Sequence, residues 1–349
     1  MPCPRRRVAV RPGVVAALAA LALAGCSDRL QRALSNVCDQ EPLLHDDEIA
    51  FVAMTLNVGN SLEDPARPTP YDRRFRTTAY ERFVAARIQG ESPQVVALQE
   101  VMPVGACDGW EEPDPRKTCY AADERAAPAR RLLGDDYTIA CDATVGDDCV
   151  AVHTGFGRIV GLSPGALDPF GARTAPLPLP ACDEPGCEGR HDVCHWISSV
   201  SWVDVESAIG PFRVVFVHGS AYVRECRAYQ VDQAFNAAKG HRALLLGDWN
   251  FELETGFSVD THTFMLESGV GDYATHNAEE PKPSLNCAPS ESHANSEALD
   301  IVASNFARGR FDFPAYHRLG DGYDFRAAGA DAGEALDHWA VVCPLAVRW

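Results

Sequence analysis

The sequence predicts an α+β protein that is rich in β-sheet. Three observations indicate this fold class: the chain has 349 residues, 46% of them are hydrophobic, and short apolar runs with β-branched residues alternate with helix-like stretches. The length and apolar content allow a large buried core and exclude a disordered chain. No internal repeat is visible.

The elements can be assigned in order along the chain. Apolar runs predict strands over residues 49–56, 95–98, 196–205, 212–217, 243–246, 299–303 and 340–342. Amphipathic spacing predicts a helix over 77–88, and a second helix is predicted over about 226–238. Gly210 and Pro211 are predicted to form the turn before the strand at 212–217. Segments 104–120 and 163–194 are rich in Pro, Gly, Cys and charge, so we expect loop insertions in one domain spanning 49–349.

The N-terminal residues have the pattern of an export signal. Four arginines precede an apolar run over residues 14–24, which is too short to cross a bilayer. The run ends in Leu23-Ala24-Gly25-Cys26, which resembles the lipobox of bacterial lipoproteins. This resemblance implies a signal peptide over 1–25, lipid attachment at Cys26 and an anchor and linker over 26–48. An ordinary secretory cleavage site is the alternative.

Ser27 follows the lipid-attachment cysteine, where an inner-membrane retention signal has Asp. For a Gram-negative source, resemblance to sorted lipoproteins implies an exported protein that is anchored to the outer membrane.

The charge balance excludes one class of function. Lys and Arg total 31 against 49 Asp and Glu, a net charge of −18, and removal of residues 1–25 makes it −22. A protein this acidic does not hold nucleic acid by bulk electrostatic attraction. Any anionic ligand therefore needs a local positive site.

Thirteen cysteines indicate disulfide pairing in an oxidising compartment. Cys107 with Cys119 and Cys141 with Cys149 are close enough in sequence to form disulfides that close short loops. The sequence leaves the other pairings open. If residues 1–25 are removed and Cys26 is lipidated, eleven cysteines remain. Because eleven is odd, one of them cannot pair within the chain. The dense Cys and His patch over 182–195 matches no standard zinc finger, and export favours disulfides there over zinc.

Polar residues recur at the ends of the buried strands. In chain order they are Asn57, Glu100, His218, Asp248, Asn250, Asp300, Asp337 and His338. Polar residues at strand ends converge on one rim of a packed sheet, where sites are usually built. Carboxylate and amide oxygens suit Mg²⁺ better than zinc, and histidines beside carboxylates titrate near neutral pH. The set predicts metal-assisted phosphoryl transfer.

The same residues lie in motifs that resemble those of the endonuclease/exonuclease/phosphatase superfamily, and in particular its deoxyribonuclease I and sphingomyelinase branches. The motifs occur in the family's order over residues 49–344: Met54-Thr55-Leu56-Asn57, Ala97-Leu98-Gln99-Glu100-Val101, Phe216-Val217-His218, Leu246-Gly247-Asp248-Trp249-Asn250, Leu299-Asp300-Ile301 and Leu336-Asp337-His338-Trp339-Ala340-Val341. The resemblance implies a four-layer α/β/β/α sandwich with two packed mixed sheets flanked by helices. It also implies a Mg²⁺ cofactor, with Mn²⁺ and Ca²⁺ as alternatives.

The resemblance further implies a role for each matched residue. Glu100 would be the principal metal ligand, with Asn57 and Asp337 beside it. His338, oriented by Asp300, would bear on the scissile phosphate or the attacking water. Asp248 would position or activate that water, Asn250 would hold a phosphate oxygen or support the metal side of the site, and His218 would face the leaving group as a general acid.

Other residues have weaker signals. Arg224 and Arg227 follow His218, and Arg74 lies after Asn57, so all three are candidates for contact with a substrate phosphate. His153, on the predicted strand from Cys149, fits a packed histidine better than a substrate contact. Gly161-Leu162-Ser163-Pro164-Gly165 matches the nucleophile elbow of serine hydrolases, but proline lacks the N–H that an oxyanion hole requires there.

The sequence therefore predicts a divalent-metal-dependent phosphoesterase at the cell envelope. A nuclease-like phosphodiesterase is the favoured interpretation, with nucleic acid as a candidate substrate and a monomer as the expected state. A phospholipid, inositol phosphate or sugar phosphate substrate is the alternative. A non-catalytic envelope lipoprotein of the same fold is the third interpretation, disfavoured because the whole set of polar residues is retained.

Overall fold

Two β-sheets packed face to face form the centre of the structure. The structure is a computed structural model that describes residues 47–59, 78–101, 127–175, 199–220, 224–250, 274–275, 300–305, 308–309, 317–319 and 340–348. Among these residues, no helix is both long enough and apolar enough to cross a bilayer.

The strands and helices of the described residues are as follows. The strands are β1 (Glu48–Asn57), β2 (Val95–Gln99), β3 (Tyr137–Cys141), β4 (Cys149–His153), β5 (Gly157–Ile159), β6 (Leu167–Asp168), β7 (Arg173–Thr174), β8 (Val200–Ser207), β9 (Gly210–His218), β10 (Ala243–Asp248), β11 (Ala274–Thr275), β12 (Asp300–Ser304), β13 (Arg308–Gly309), β14 (His317–Leu319) and β15 (Ala340–Arg348). The helices are α1 (Thr78–Glu91), α2 (Pro128–Leu133) and α3 (Arg224–Ala238).

The strands form two mixed sheets. Sheet A has the order β13-β15-β1-β2-β4-β3-β6, and β14 also pairs with β15. Sheet B has the order β11-β12-β10-β9-β8-β5, and β7 also pairs with β8. Each sheet has a parallel pair near its centre, β1 with β2 in sheet A and β9 with β10 in sheet B, while β15 and β12 run antiparallel to their neighbours.

Three buried apolar clusters define four layers. The central cluster lies between the sheets and includes Phe51 and Ala97 of sheet A with Phe216 and Leu246 of sheet B. A second cluster packs α1 and α2 on the outer face of sheet A, and a third packs α3 on the outer face of sheet B. Because both faces of each sheet are covered, the strands are continuous apolar runs. The predicted α/β/β/α sandwich is confirmed.

Most predicted elements are confirmed with shifted ends. The strand predicted over 49–56 covers 48–57, and the helices predicted over 77–88 and 226–238 cover 78–91 and 224–238. The strand predicted over 340–342 extends to residue 348, because it pairs with residues 48–55 of β1.

Two predictions were wrong in detail. Gly210 and Pro211 do not form the turn between β8 and β9; they pair with Ser207 and Glu206, and the turn lies at residues 208–209. The predicted insertion over 163–194 is not a loop throughout, because β6 pairs with β3 and β7 pairs with β8. Residues 176–194 and the predicted insertion over 104–120 lie outside the described residues.

One predicted disulfide is confirmed. Cys141 and Cys149 lie directly opposite each other on β3 and β4 and are bonded. Cys226 and Cys343 each take part in a disulfide bond as well, which supports the interpretation that cysteines in this chain pair. The predicted pair Cys107 and Cys119 lies outside the described residues.

An ion pair joins β8, β9 and α3 on the outer face of sheet B. Arg213 donates through Nε and Nη2 to the two carboxylate oxygens of Asp204, at 2.8 and 3.2 Å, and through Nη1 to the carbonyl of Ala237 at 2.8 Å. Burial raises the pKa of Asp204, but Arg213 and Arg173 outweigh it and the net pKa is lowered. The charged carboxylate therefore stabilises the folded state.

We expect Asp204→Asn to lower the free energy of unfolding at neutral pH by about 1 kcal/mol, since solvent screens part of this pair. Because the folded pKa of Asp204 is lowered, its contribution is present above the ordinary value of 3.8 and is lost as the pH falls through the folded pKa. Urea unfolding over a pH series from 7 downwards should show the two proteins converging. Glu206→Gln, which alters an exposed pair with Arg158, is the control. A difference that persists at the acid end would contradict this assignment.

Candidate active site

The predicted strand-end residues converge at one edge of the sandwich. His218, Asp248 and Asp300 form a row across β9, β10 and β12, because Asp248 pairs with both of the others. Each lies two residues from a side chain that faces sheet A, since His218 follows Phe216, Asp248 follows Leu246 and Asp300 precedes Val302 on an antiparallel strand. The inter-sheet core therefore changes from apolar to polar at this edge, and all three residues are buried.

Asn57 connects this row to sheet A. Its Nδ2 donates to Glu100 Oε1 at 3.0 Å and to Asp248 Oδ2 at 3.0 Å, and its Oδ1 accepts from the N–H of Gly59 at 2.9 Å. One buried carboxamide thus holds two carboxylates that come from different sheets. The predicted association of Asn57, Glu100 and Asp248 agrees with this geometry.

Asp148 is a site residue that sequence reasoning missed. Its Oδ1 lies 3.1 Å from His218 Nδ1 and accepts weakly from the N–H of Glu100 at 3.4 Å, while its Oδ2 accepts from Ser199 Oγ at 2.7 Å. The side chain is 2% exposed. Asp148 comes directly before β4 and could have been found as a polar strand-end residue, whereas Ser199 lies within the strand predicted over 196–205 and has no such signal.

His218 lies between two carboxylates. Its Nδ1 faces Asp148 and its Nε2 lies 3.5 Å from Glu100 Oε1. Burial disfavours the charged ring, but Asp148 and Glu100 outweigh it and hold the pKa of His218 well above its ordinary value. The ring can therefore carry a proton towards the edge of the sandwich.

The backbone is strained at two of the predicted residues. Glu100 and Asn250 both have a φ of 53°, in the left-handed region that costs a residue with a Cβ roughly 1–2 kcal/mol. Asn250 is held there by two hydrogen bonds: its N–H donates to Asp248 Oδ1 at 2.9 Å and its Nδ2 donates to the carbonyl of Gly219 at 2.7 Å. Such strain persists only where the surroundings enforce it, and it clusters at functional sites.

Two glycines allow the strand ends to approach one another. A Cβ at Gly247, which has a φ of 148°, would lie 2.0 Å from the carbonyl oxygen of Val217, and a Cβ at Gly219 would lie 2.2 Å from that of Trp249. Only glycine fits either position. The glycine of the Gly-Asp motif is thus required by the close contact of β9 with β10.

Helix α3 fixes the segment that follows His218. Gln230 donates through Nε2 to the carbonyl of His218 at 3.0 Å and accepts at Oε1 from the N–H of Ser220 at 2.8 Å. Arg227 donates through Nη1 to the carbonyl of Ser220 at 2.9 Å. Arg227, predicted to contact phosphate, therefore lies close to the site with part of its guanidinium bound to backbone.

Acidic side chains also cluster in the loop before Asp148. Asp142, Asp147 and Asp148 lie close enough together to share a metal ion. Both oxygens of Asp142, however, accept hydrogen bonds from the backbone of its own loop. Burial and the charges of Asp148 and Asp142 hold the pKa of Asp147 well above its ordinary value.

Glu100 is the group best placed to hold a cation. Its side chain is 29% exposed, against 9% for His218 and 2% for Asp148. The carboxylates of Asp148 and Asp248 lie within one or two hydrogen bonds of it, so negative charge accumulates around an accessible oxygen donor. Hard oxygen donors of this kind fit Mg²⁺ or a similar ion.

Several predicted residues are not placed at the site. Asp337, His338, Arg74 and Cys26 lie outside the described residues, as does the side chain of Arg224 at the start of α3. His153 is at the end of β4 opposite to Asp148, where its ring packs edge-on against Tyr137 and its Nδ1 accepts from the N–H of Gly155. It is the packed histidine that sequence reasoning favoured.

The chain is similar to known proteins in structure but not detectably in sequence. No protein-family model matches the chain, and no curated protein matches it by sequence. An endonuclease/exonuclease/phosphatase from Bacteroides vulgatus aligns with a TM-score of 0.52 at 13% identity, over 86% of this chain and 100% of that one. An endonuclease/exonuclease/phosphatase from Beutenbergia cavernae aligns with a TM-score of 0.50 at 17% identity, over 86% of this chain and 72% of that one.

The human Nocturnin catalytic domain, solved with a bound sulfate anion, aligns with a TM-score of 0.50 at 13% identity, over 86% of this chain and 96% of that domain. By its architecture, this chain has the fold of the endonuclease/exonuclease/phosphatase superfamily.

Proposed function

We propose that the protein is a divalent-metal-dependent phosphoesterase, and that phosphodiesters are its substrates. The convergence of Asn57, Glu100, His218 and Asp248 from two sheets on one edge carries this proposal. The site combines an accessible carboxylate for a cation, an imidazole with a raised pKa and a buried carboxylate. These are the groups that metal-assisted hydrolysis requires.

The roles follow from the contacts. Glu100, with Asn57 and Asp337, would hold Mg²⁺, which when bound would polarise the phosphate and offset the charge that develops in the transition state. His218, whose pKa is raised, would hold a proton at Nε2 and donate it to the leaving oxygen. Asp148 fixes the ring through Nδ1, the arrangement by which a carboxylate sets the tautomer and orientation of a catalytic histidine.

Asp248 would orient the attacking water, because Asn57 and the N–H of Asn250 fix its two oxygens. Asn250 would support that geometry and contact a phosphate oxygen. We further propose that Asp300 and His338 act as the carboxylate and imidazole pair on the other side of the phosphate.

The proposed substrate class is supported by the net charge of the chain and by the solved structures that align with it. Two of the aligned structures are named as endonuclease/exonuclease/phosphatase proteins, which supports a phosphoester substrate. A net charge of −18 leaves recognition to the cation and to a few arginines, for which we propose Arg224, Arg227 and Arg74. Plasmid DNA, RNA, sphingomyelin and inositol phosphates, assayed in parallel with Mg²⁺, decide among substrates. Cleavage of a lipid or sugar phosphate alone would replace the nuclease-like assignment.

We expect Glu100→Gln to lower kcat/KM at least about 100-fold, because the amide retains an acceptor for Asn57 but lacks the charge that binds the cation. The parent should lose activity in EDTA and regain it with Mg²⁺. Glu206→Gln makes the same chemical change on the exposed surface of β8 and should leave kcat/KM unchanged. Equal activity of Glu100→Gln and the parent, or activity that survives EDTA, would reject the proposal.

We propose that the protein is exported and is anchored to the outer membrane by a lipid on Cys26. The disulfide between Cys141 and Cys149 supports export, since structural disulfides persist mainly in oxidising compartments. The lipobox-like sequence that ends at Cys26 supports the anchor.

Replacing Cys26 with serine should move the protein from the membrane pellet to the soluble fraction, because the lipid would have no attachment point. Fractionation of cells that express the parent and Cys26→Ser measures this. Cys38→Ser, a nearby cysteine in the same N-terminal region, is the matched control and should stay in the pellet. Membrane association of Cys26→Ser would contradict the proposed anchor.

A further inference from the structure

We propose that the disulfide-closed loop from Cys141 to Cys149 positions the candidate active site, with Asp142 as a positioning residue that acts through Asp148 on His218. The kinetic part of this inference rests on the proposed phosphoesterase function. The structural part depends only on the contacts of the loop.

Asp142 organises the loop from within. Its Oδ1 accepts from the N–H groups of Thr144 and Val145 and from the hydroxyl of Thr144, and its Oδ2 accepts from the N–H groups of Gly146 at 2.9 Å and Asp148 at 3.1 Å. The side chain is fully buried. One carboxylate thus fixes most of the turn between β3 and β4, and its last contact is with the N–H of Asp148.

The disulfide closes the loop at its base. Cys141 and Cys149 are paired residues at the adjoining ends of β3 and β4, and the N–H of Asp142 donates to the carbonyl of Asp148 at 2.9 Å just beyond them. Asp148 is therefore held on one side by the covalent bond of its neighbour Cys149 and on the other by Asp142. Neither constraint involves the groups assigned to the substrate or cation.

The tip of the loop is also attached to both sheets. The N–H of Val101, the residue after Glu100, donates to the carbonyl of Asp147 at 2.7 Å, and the N–H of Ala143 donates to Thr174 Oγ1 of β7 at 2.7 Å. Gly146 has a φ of 80°, and a Cβ there would lie 2.9 Å from the carbonyl oxygen of Pro169. The loop consequently has one fixed position relative to Glu100 and His218.

Rigid placement of Asp148 matters because this one carboxylate contacts His218 Nδ1, Ser199 Oγ and the N–H of Glu100. A displacement of about 1 Å in a catalytic arrangement costs up to roughly 100-fold in rate. A loop that loses Asp142 or the disulfide would still join β3 to β4, whose pairing is made by backbone hydrogen bonds. It would no longer hold Asp148 at hydrogen-bonding distance from the ring.

Two variants test the proposal by different chemistry. Asp142→Asn keeps the shape but turns an NH₂ group towards backbone N–H donors, whichever way the amide is oriented. The double variant Cys141→Ala/Cys149→Ala removes the disulfide and leaves every ionisable group of the site in place. Glu81→Gln is the matched control, because it weakens a buried ion pair with Arg131 between α1 and α2, on the outer face of sheet A.

The first readout needs no activity. In the metal-free protein, the ¹H–¹⁵N spectrum should show a protected ring N–H signal of His218, assigned by its absence in His218→Gln. We expect this signal to be lost or to exchange rapidly in both loop variants and to persist in Glu81→Gln, at a temperature where circular dichroism shows all four proteins folded. A parent-like signal in a folded loop variant would overturn the proposal.

The second readout is kinetic. This readout uses the substrate that the parallel assays of DNA, RNA, sphingomyelin and inositol phosphates identify. Both loop variants should lower kcat by about 10- to 100-fold with little change in KM, while Glu81→Gln keeps the parent values. A parent-like kcat in both folded loop variants would also overturn the proposal. If the parent hydrolyses no substrate but its His218 signal depends on the loop, the proposed function fails and the positioning role stands.

Discussion

The carboxylate of Asp148 joins the two sheets at the edge where the site lies, and the rest of the site depends on it. Asp148 precedes β4 of sheet A, whereas His218 ends β9 and Ser199 precedes β8 in sheet B. Between the sheets the core is apolar and non-directional, so it fixes their separation without selecting a register for polar groups. Directional contacts of Asp148 with His218, and of Asn57 with Asp248, supply that register.

This arrangement concentrates negative charge in a buried place, which is costly without compensation. The imidazole of His218 compensates Asp148, and hydrogen bonds from Asn57 compensate Glu100 and Asp248. The backbone is also strained to place these side chains. Glu100 and Asn250 adopt left-handed conformations, and β10 approaches β9 closely at Gly247. A divalent cation on Glu100 would remove the remaining excess of charge, which gives the site a physical reason to bind one.

Sequence patterns predicted the sandwich fold and most of the described site residues at its edge, because an apolar run with a polar residue at its end can be recognised locally. Glu100, His218 and Asp248 follow such runs and were found. Asp148 and Ser199 were missed, because nothing local in the sequence indicates that they meet across two sheets. The turn at residues 208–209 lacks turn-forming residues, whereas the adjacent Gly210 and Pro211 are typical of turns but pair within β9. The strands β6 and β7 have two residues each, too few for any periodicity.

Asp148 and His218 are expected to stabilise each other across the sheets. A double-mutant cycle on the free energy of unfolding of the metal-free protein measures this coupling, with Asp148→Asn, His218→Gln and the double variant. We expect each single variant to lose about 3 kcal/mol, and the double variant to lose less than the sum of the two by at least about 1 kcal/mol. Losses that add to within about 0.5 kcal/mol would contradict it, because they would show that the two side chains act independently.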